Sequence, residues 1–336
     1  MKTEILGTDG ASLDRAAELL TRGAVVAVPT ETVYGLAANA FDEKAVRRIF
    51  EAKGRPADNP LIVHIADISY LEKLSPCVPE LAYKCAEAFW AGPLTMILPK
   101  KDIIPSVTSG GLDTVGIRMP VDKTARAIIK RCGFALAAPS ANVSGSPSPT
   151  TFRHVYEDMN GRISAIVDGG DCSVGVESTV ISFDDNKIRV LRPGFISPEE
   201  LSEIADTVID KGVLEQLGAD AVVRSPGMKY KHYAPKADVT IIDSDRDSFK
   251  HYVRKNSDDA TMLMVFSEAD CEGLDIEFIE YGETAEEQAK RLFTSLRTLD
   301  ELGAEKVYAR CPKKSGVGLA VYNRLLRAAG FKVVRL

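Results

Sequence analysis

Short apolar runs rich in β-branched residues recur along this chain too closely spaced, and too regularly separated by helical patterns, for any fold class but α/β. They come in two blocks. In the first, AVVAVPT (24–30), LIVHI (61–65), TMILPK (95–100), TVGIRMP (114–120), FALAAPS (134–140), AIVDGG (165–170), STVISF (178–183) and KIRVLRP (187–193) read as strands. Asp42 stands where it can cap a helix that lines up Ala45, Val46, Ile49 and Phe50 on one face, and ELAYKCAEAFW (80–90) is a second amphipathic helix. Strands that follow one another directly must pair antiparallel, so the spacing predicts a large twisted mixed sheet. EELSEIADTVI (199–209) reads as the helix that closes this unit.

The second block alternates more regularly. VTIID, TMLMVF, a capped helix over 284–303, KVYAR, the helix GLAVYNRLLRAAG and the terminal KVVRL predict a smaller, Rossmann-like parallel α/β domain. The expected organisation is a mixed-sheet domain over 1–206, a linker or lid over 207–237, and the parallel α/β domain over 238–336.

Composition limits what such a chain can do. At 45% hydrophobic and 27% charged it reads as an ordinary soluble globular protein. No run approaches the ~20 apolar residues of a membrane helix. Glu4 and Asp9 stand where a signal peptide needs an apolar stretch, so the expected place is the cytoplasm, with no membrane partner. The six cysteines include no CxxC pair, which argues against a disulfide framework or a zinc site. A net charge of −6 disfavours a strong non-specific nucleic-acid binder while leaving room for a local basic cleft. Neither GxxxxGK[ST] nor a strand-helix GxGxxG is present; Gly316 and Gly318 come closest but lack the third glycine.

Four polar clusters are candidates for chemistry. Pro29-Thr30-Glu31-Thr32-Val33-Tyr34-Gly35 follows a buried strand, where open α/β sheets place ligands, although Thr and Glu also serve ordinary capped turns. Lys53-Gly54-Arg55-Pro56 is either a plain helix stop or a two-cation clamp, with Asn59 and His64 downstream. The clamp reading implies that removing Lys53 or Arg55 lowers turnover with little loss of stability. Arg118, inside the apolar strand after Thr114, needs an anionic partner, either internal or a ligand carboxylate. Ala138-Pro139-Ser140-Ala141-Asn142 lets a ligand approach the backbone and supplies short donors and acceptors. Glu177-Ser178 and Arg192-Pro193-Gly194 add polar groups at strand ends.

Taken in order, PTETVYGL, KGRPADNPL, GIRMP, APSANVSG, ESTV and LRPG closely resemble the YrdC family, over residues 1 to about 206. With HYAP at 232–235 and a further α/β domain, the chain is similar to that family's two-domain threonylcarbamoyl-AMP synthases. The resemblance implies that L-threonine, bicarbonate or carbon dioxide, and ATP carrying Mg²⁺ on its phosphates give threonylcarbamoyl-AMP and pyrophosphate. It implies a downstream tRNA threonylcarbamoyl transferase machinery as consumer, with tRNA binding by this chain not required. Residue by residue, it implies Lys53, Arg55, Ser140 and Asn142 as catalytic. It implies Arg55, Asn59, Thr114, Ser140, Ser148, Ser178, Arg192 and Tyr233 at the nucleotide, and Thr32, His64, Arg118 and Ala138 at threonine, with Glu31 in support. The alternatives are a carbamoyl-adenylate enzyme of a related pathway and a double-stranded RNA-binding module. Over 225–237, Pro226, Gly227, Lys229, Tyr230, Lys231, His232, Tyr233 and Lys236 suggest a lid over the cleft rather than a passive spacer, the alternative being that the aromatics dock the two domains on each other.

Overall fold

The computed structural model describes residues 2–215 and 233–336. In chain order the first sheet is built from β1 (Glu4–Leu6), β2 (Val26–Val28), β3 (Gly35–Asn39), β4 (Ile62–His64), β5 (Leu94–Pro99), β6 (Thr114–Arg118), β7 (Leu136–Ala137), β8 (Ala165–Val167), β9 (Thr179–Asp184), β10 (Lys187–Arg192) and β11 (Thr207–Ile209). Their spatial order is β1-β8-β2-β3-β7-β4-β6-β5-β9-β10-β11. The sheet is mixed, as the spacing predicts. β4 pairs in parallel with β6, while β2–β3, β5–β6 and the hairpin β9–β10 are antiparallel.

Helices cover both faces of this sheet. Glu43–Lys53 and Glu80–Phe89 bury Ile49, Phe50, Cys85 and Ala86 against one face, and Gly10–Thr21 and Lys123–Cys132 bury Leu20, Ile128 and Ile129 against the other. Central strands covered twice carry no polar face, which is why AVV and LIV read as continuous apolar runs.

The expected helix through 209 is corrected. The helix Pro198–Ser202 stops early, and Thr207–Ile209 joins the sheet edge in parallel with β10. A β-branched TVI triplet outweighs the continuing helical pattern once an edge is there to receive it. The first sheet thus runs three residues into the segment read as linker.

The second sheet contains β12 (Asp238–Asp243), β13 (Thr261–Val265), β14 (Phe278–Glu280), β15 (Lys306–Arg310) and β16 (Val333–Arg335), all parallel, in the order β14-β13-β15-β12-β16. Its helix Ala285–Glu301 opens on a capping box between Thr284 and Glu287. No helix among the described residues is long and apolar enough to cross a membrane.

The two sheets do not form separate cores at their junction. Val33, Val174 and Val176 of the first unit pack into the apolar cluster of the second, together with Tyr233, Phe293 and Val321. Polar contacts flank that patch. Arg297 grips Asp158 with both terminal nitrogens at 3.1 and 2.7 Å and also donates to Pro147 O at 2.6 Å. Asp158 in turn accepts from Val143 N at 3.2 Å, so the second unit braces the loop that carries Ser140 and Asn142.

Candidate active site

Parallel strands β4 and β6 end in register at His64 and Arg118, and β7, antiparallel to β4, runs back past Ile62 into Pro139 and Ser140. These ends, the Thr30–Gly35 turn and the stop of the Glu43–Lys53 helix enclose a cleft of about 760 Å³, open to solvent. Its wall holds Thr32, Lys53, Arg55, His64, Arg118 and Ala138, together with Ser140, Asn142, Ser178, Arg192 and Tyr233. Clusters scattered over two hundred residues are therefore brought to one place, with Glu177 added.

Asp42 caps the helix by accepting from Lys44 N and Ala45 N, and Gly54 ends it in the left-handed region at φ 62°. The stop is an ordinary one, yet it delivers Lys53 inward. The Lys53 ammonium is buried and donates to Ser140 O and to Asn142 O at 2.7 Å, with Asn142 Oδ1 at 3.4 Å. Burial, with Arg55 adding to it, pushes the Lys53 pKa well below its ordinary value. Ser140 Oγ donates to Asn142 Oδ1, and Asn142 Nδ2 donates to Val143 O and Ser146 O. Lys53 and the Ser-x-Asn pair thus form one hydrogen-bonded unit.

Arg118 has its anionic partner inside the protein. Its Nη2 pairs with Glu31 Oε1 at 2.7 Å, both side chains being buried, and its Nη1 donates to Thr32 Oγ1 at 2.9 Å. Thr32 is held further by Thr30 Oγ1 at 2.9 Å.

Arg192 donates to Ser178 O at 3.0 Å, and Ser178 Oγ shares a hydrogen bond with Thr95. Burial, then the neighbouring Arg324, lowers Arg192 to about 10, which leaves it protonated at neutral pH. Ser148 lies behind the wall and reaches it through Glu177, to which it donates at 2.6 Å. Burial alone would raise the Glu177 carboxyl, but Arg324 and Arg192 hold it below its ordinary value. Tyr233 is buried at φ 64°, stacks on Phe293 at 5.2 Å, and leads into Ala234, whose N donates to Gly145 O.

Two candidates stand apart from this cleft. Asn59 is buried beside the Gly110 turn, and Thr114 opens β6 at the end opposite Arg118. Of the lid residues, Pro226, Gly227, Lys229, Tyr230, Lys231 and His232 lie outside the described residues. Sequence reading passed over two contributors, Glu177 as a site residue and Arg324 from the second unit. The signal for Arg324 was an arginine followed directly by two leucines in the apolar helix pattern GLAVYNRLLRAAG, where a solvated face is not expected.

His64 is buried, its Nδ1 is 3.2 Å from Ile62 O, and burial followed by Arg118 pushes its pKa down to about 3. An unfolded histidine titrates near ~6.5. Its stabilising contribution is therefore complete above that pH and declines as pH falls towards the folded value, because the unfolded chain takes up a proton the fold refuses. Between about pH 6.5 and 5 the loss should be ~1.4 kcal/mol per pH unit for each such histidine. His154, lowered to about 4 by burial and then by Arg297, adds to the slope. Thermal melting across that window should fall with acidification, and more shallowly in His64→Gln; equal slopes would contradict the assignment.

The family model Sua5_yciO_yrdC, described as telomere recombination, matches residues 18–194, and Sua5_C, described as threonylcarbamoyl-AMP synthase, C-terminal domain, matches 196–330. The chain belongs to the Sua5/YciO/YrdC family. Curated relatives named threonylcarbamoyl-AMP synthase include one from Bacillus subtilis, 44% identical over 99% of this chain and 97% of its own length. Another, from Pyrococcus abyssi, is 43% identical over 96% of this chain and 95% of its own. The crystal structure of Pyrococcus abyssi Sua5 complexed with L-threonine superposes with a TM-score of 0.93, at 41% identity, covering 99% of this chain and all of that one. The second unit described above is thus the Sua5-type C-terminal domain.

Proposed function

We propose that this chain converts L-threonine, bicarbonate and ATP into threonylcarbamoyl-AMP and pyrophosphate, the activated group for modifying the tRNA adenosine next to the anticodon. The observation that carries it is the single cleft joining the Lys53–Ser140–Asn142 unit to Thr32, His64 and Arg118. The relatives named threonylcarbamoyl-AMP synthase align with both domains, and the threonine complex superposes on both.

The chemistry needs no protein nucleophile. Threonine's amine combines with bicarbonate or carbon dioxide to give a carbamate, and a carbamate oxygen attacks the α-phosphorus of ATP, expelling pyrophosphate. The protein must orient two anions towards each other and offset their charge. Arg55 and Arg192 are the cations for the nucleotide. Lys53 acts by fixing the Ser140–Asn142 backbone, and Ser140 and Ser178 contact the nucleotide. Arg118 takes the threonine carboxylate by sharing its guanidinium between that group and Glu31. Neutral His64, its Nδ1 donating to Ile62 O, offers Nε2 as an acceptor on the threonine side. Asn59 and Thr114 belong to the nucleotide reading as more distant contacts.

No group of three or more His, Cys, Asp or Glu among the described residues could hold a metal ion. In this reading Mg²⁺ enters as part of the MgATP substrate. Tyr233, which lines the cleft and packs on Phe293 of the C-terminal domain, shields the cleft from water that would hydrolyse the mixed anhydride. The product passes to a transferase that places the threonylcarbamoyl group on tRNA.

Amino-acid competition tests the reading. A threonine pocket loses about 1–3 kcal/mol for one missing methyl, so serine should show a kcat/KM ~10–200-fold lower. Equal values for serine and threonine would remove the threonine assignment.

A further inference from the structure

The C-terminal domain touches the wall of the cleft through a charged side chain that pairs with the lining residue Glu177. Arg324, on the helix Gly316–Ala328, is fully buried, and its Nε lies 2.7 Å from Glu177 Oε2. Its Nη1 donates to Asn323 Oδ1 at 2.8 Å, and its guanidinium stands 5.8 Å from the centre of the Tyr233 ring. The other Glu177 oxygen accepts the Ser148 hydroxyl. Glu177 itself lines the cleft next to Ser178 and Arg192. A carboxylate here is at odds with a site for a triphosphate, since like charges repel strongly where water is excluded. Arg192 is the next cation that Glu177 senses after Arg324.

We propose that Arg324 is a positioning residue for ATP: it neutralises Glu177 and holds it turned towards Ser148, so that Arg192 serves the nucleotide rather than the carboxylate. The nucleotide side of the active site is then complete only when the two domains are docked. This rests on the reading of the cleft as the ATP site.

The test uses the full chain and measures KM for ATP and for threonine together with kcat. Arg324→Met should raise the KM for ATP by about 30-fold or more, the scale on which truncating one partner of a buried charge pair is felt. The KM for threonine should stay within about twofold, because Thr32, His64 and Arg118 are untouched. Adding Glu177→Gln to Arg324→Met should recover most of the ATP KM by removing the uncompensated charge, a non-additivity that a merely structural role would not give. Arg324→Lys, which keeps the charge, should lie between wild type and Arg324→Met; if Arg324→Met does not fold, the same split must appear in Arg324→Lys. An unchanged ATP KM, an equal rise for both substrates, or a double variant worse than the single one overturns the proposal. Arg55→Ala separates the premise from the proposal. Unchanged ATP KM there removes the ATP-site reading, whereas a rise there with no effect at Arg324 overturns Arg324's role alone.

Discussion

Lys53→Met is expected to reduce turnover by about 10²–10³-fold, because the Ser140–Asn142 backbone it fixes would lose its preorganised contact with the nucleotide, and losing one such contact usually costs that much. It should also lower the melting temperature, contrary to the expectation from sequence that stability would hardly change. The reason is geometric. The Lys53 ammonium donates to Ser140 O and Asn142 O in a buried setting, and methionine leaves those acceptors unsatisfied. An orphaned buried acceptor costs about 1–3 kcal/mol. At about 2–4 °C per kcal/mol for a domain of this size, the shift is readily measured. Arg55→Ala is the contrast: Arg55 is half-buried, and its loss should act on rate more than on melting. Wild-type turnover in Lys53→Met would reduce the Lys-x-Arg pair to a helix stop.

A second large effect is expected from Gly175→Val, a residue that touches no substrate. Gly175 holds φ at 85°, and a Cβ there would meet Ala289 O at 2.5 Å and Lys290 O at 2.8 Å, backbone atoms of the C-terminal domain's long helix. The left-handed conformation alone costs a branched residue about 1–2 kcal/mol. The clash must then be relieved by moving the helix, and with it the domain that carries Arg297 and Arg324. Glu177 lies two residues further on. The variant should therefore melt several degrees lower and lose ATP affinity more than threonine affinity. Lowered melting with both affinities intact would show that the junction supports the fold without serving the site.

Much of this was legible in the sequence, and the exceptions have physical causes. The two blocks of alternating strands and helices stood out because central strands buried on both faces must be continuously apolar. The capped helices at Asp42 and Thr284 announced themselves through side chains that satisfy the first-turn N–H groups. β1 and β11 are three-residue edge strands, too short to show an alternation of their own, and GLAAN of β3 is too small to carry a β signature. Lys53 and Arg55 could be named from their spacing, but not the direction of the ammonium. That depends on a loop 87 residues away meeting the helix end. Arg118 was recognisable as an arginine needing an anion; that Glu31 supplies it requires the fold. Arg324 was hidden for the same reason, since its partner lies 147 residues earlier and in the other domain.

The most direct measurement is pyrophosphate release by the intact chain from MgATP, with L-threonine and bicarbonate each omitted in turn. The structure and the family predict release only when both are present, with one threonylcarbamoyl-AMP formed for each pyrophosphate. Release at the same rate without threonine, or without bicarbonate, would contradict the account at its centre.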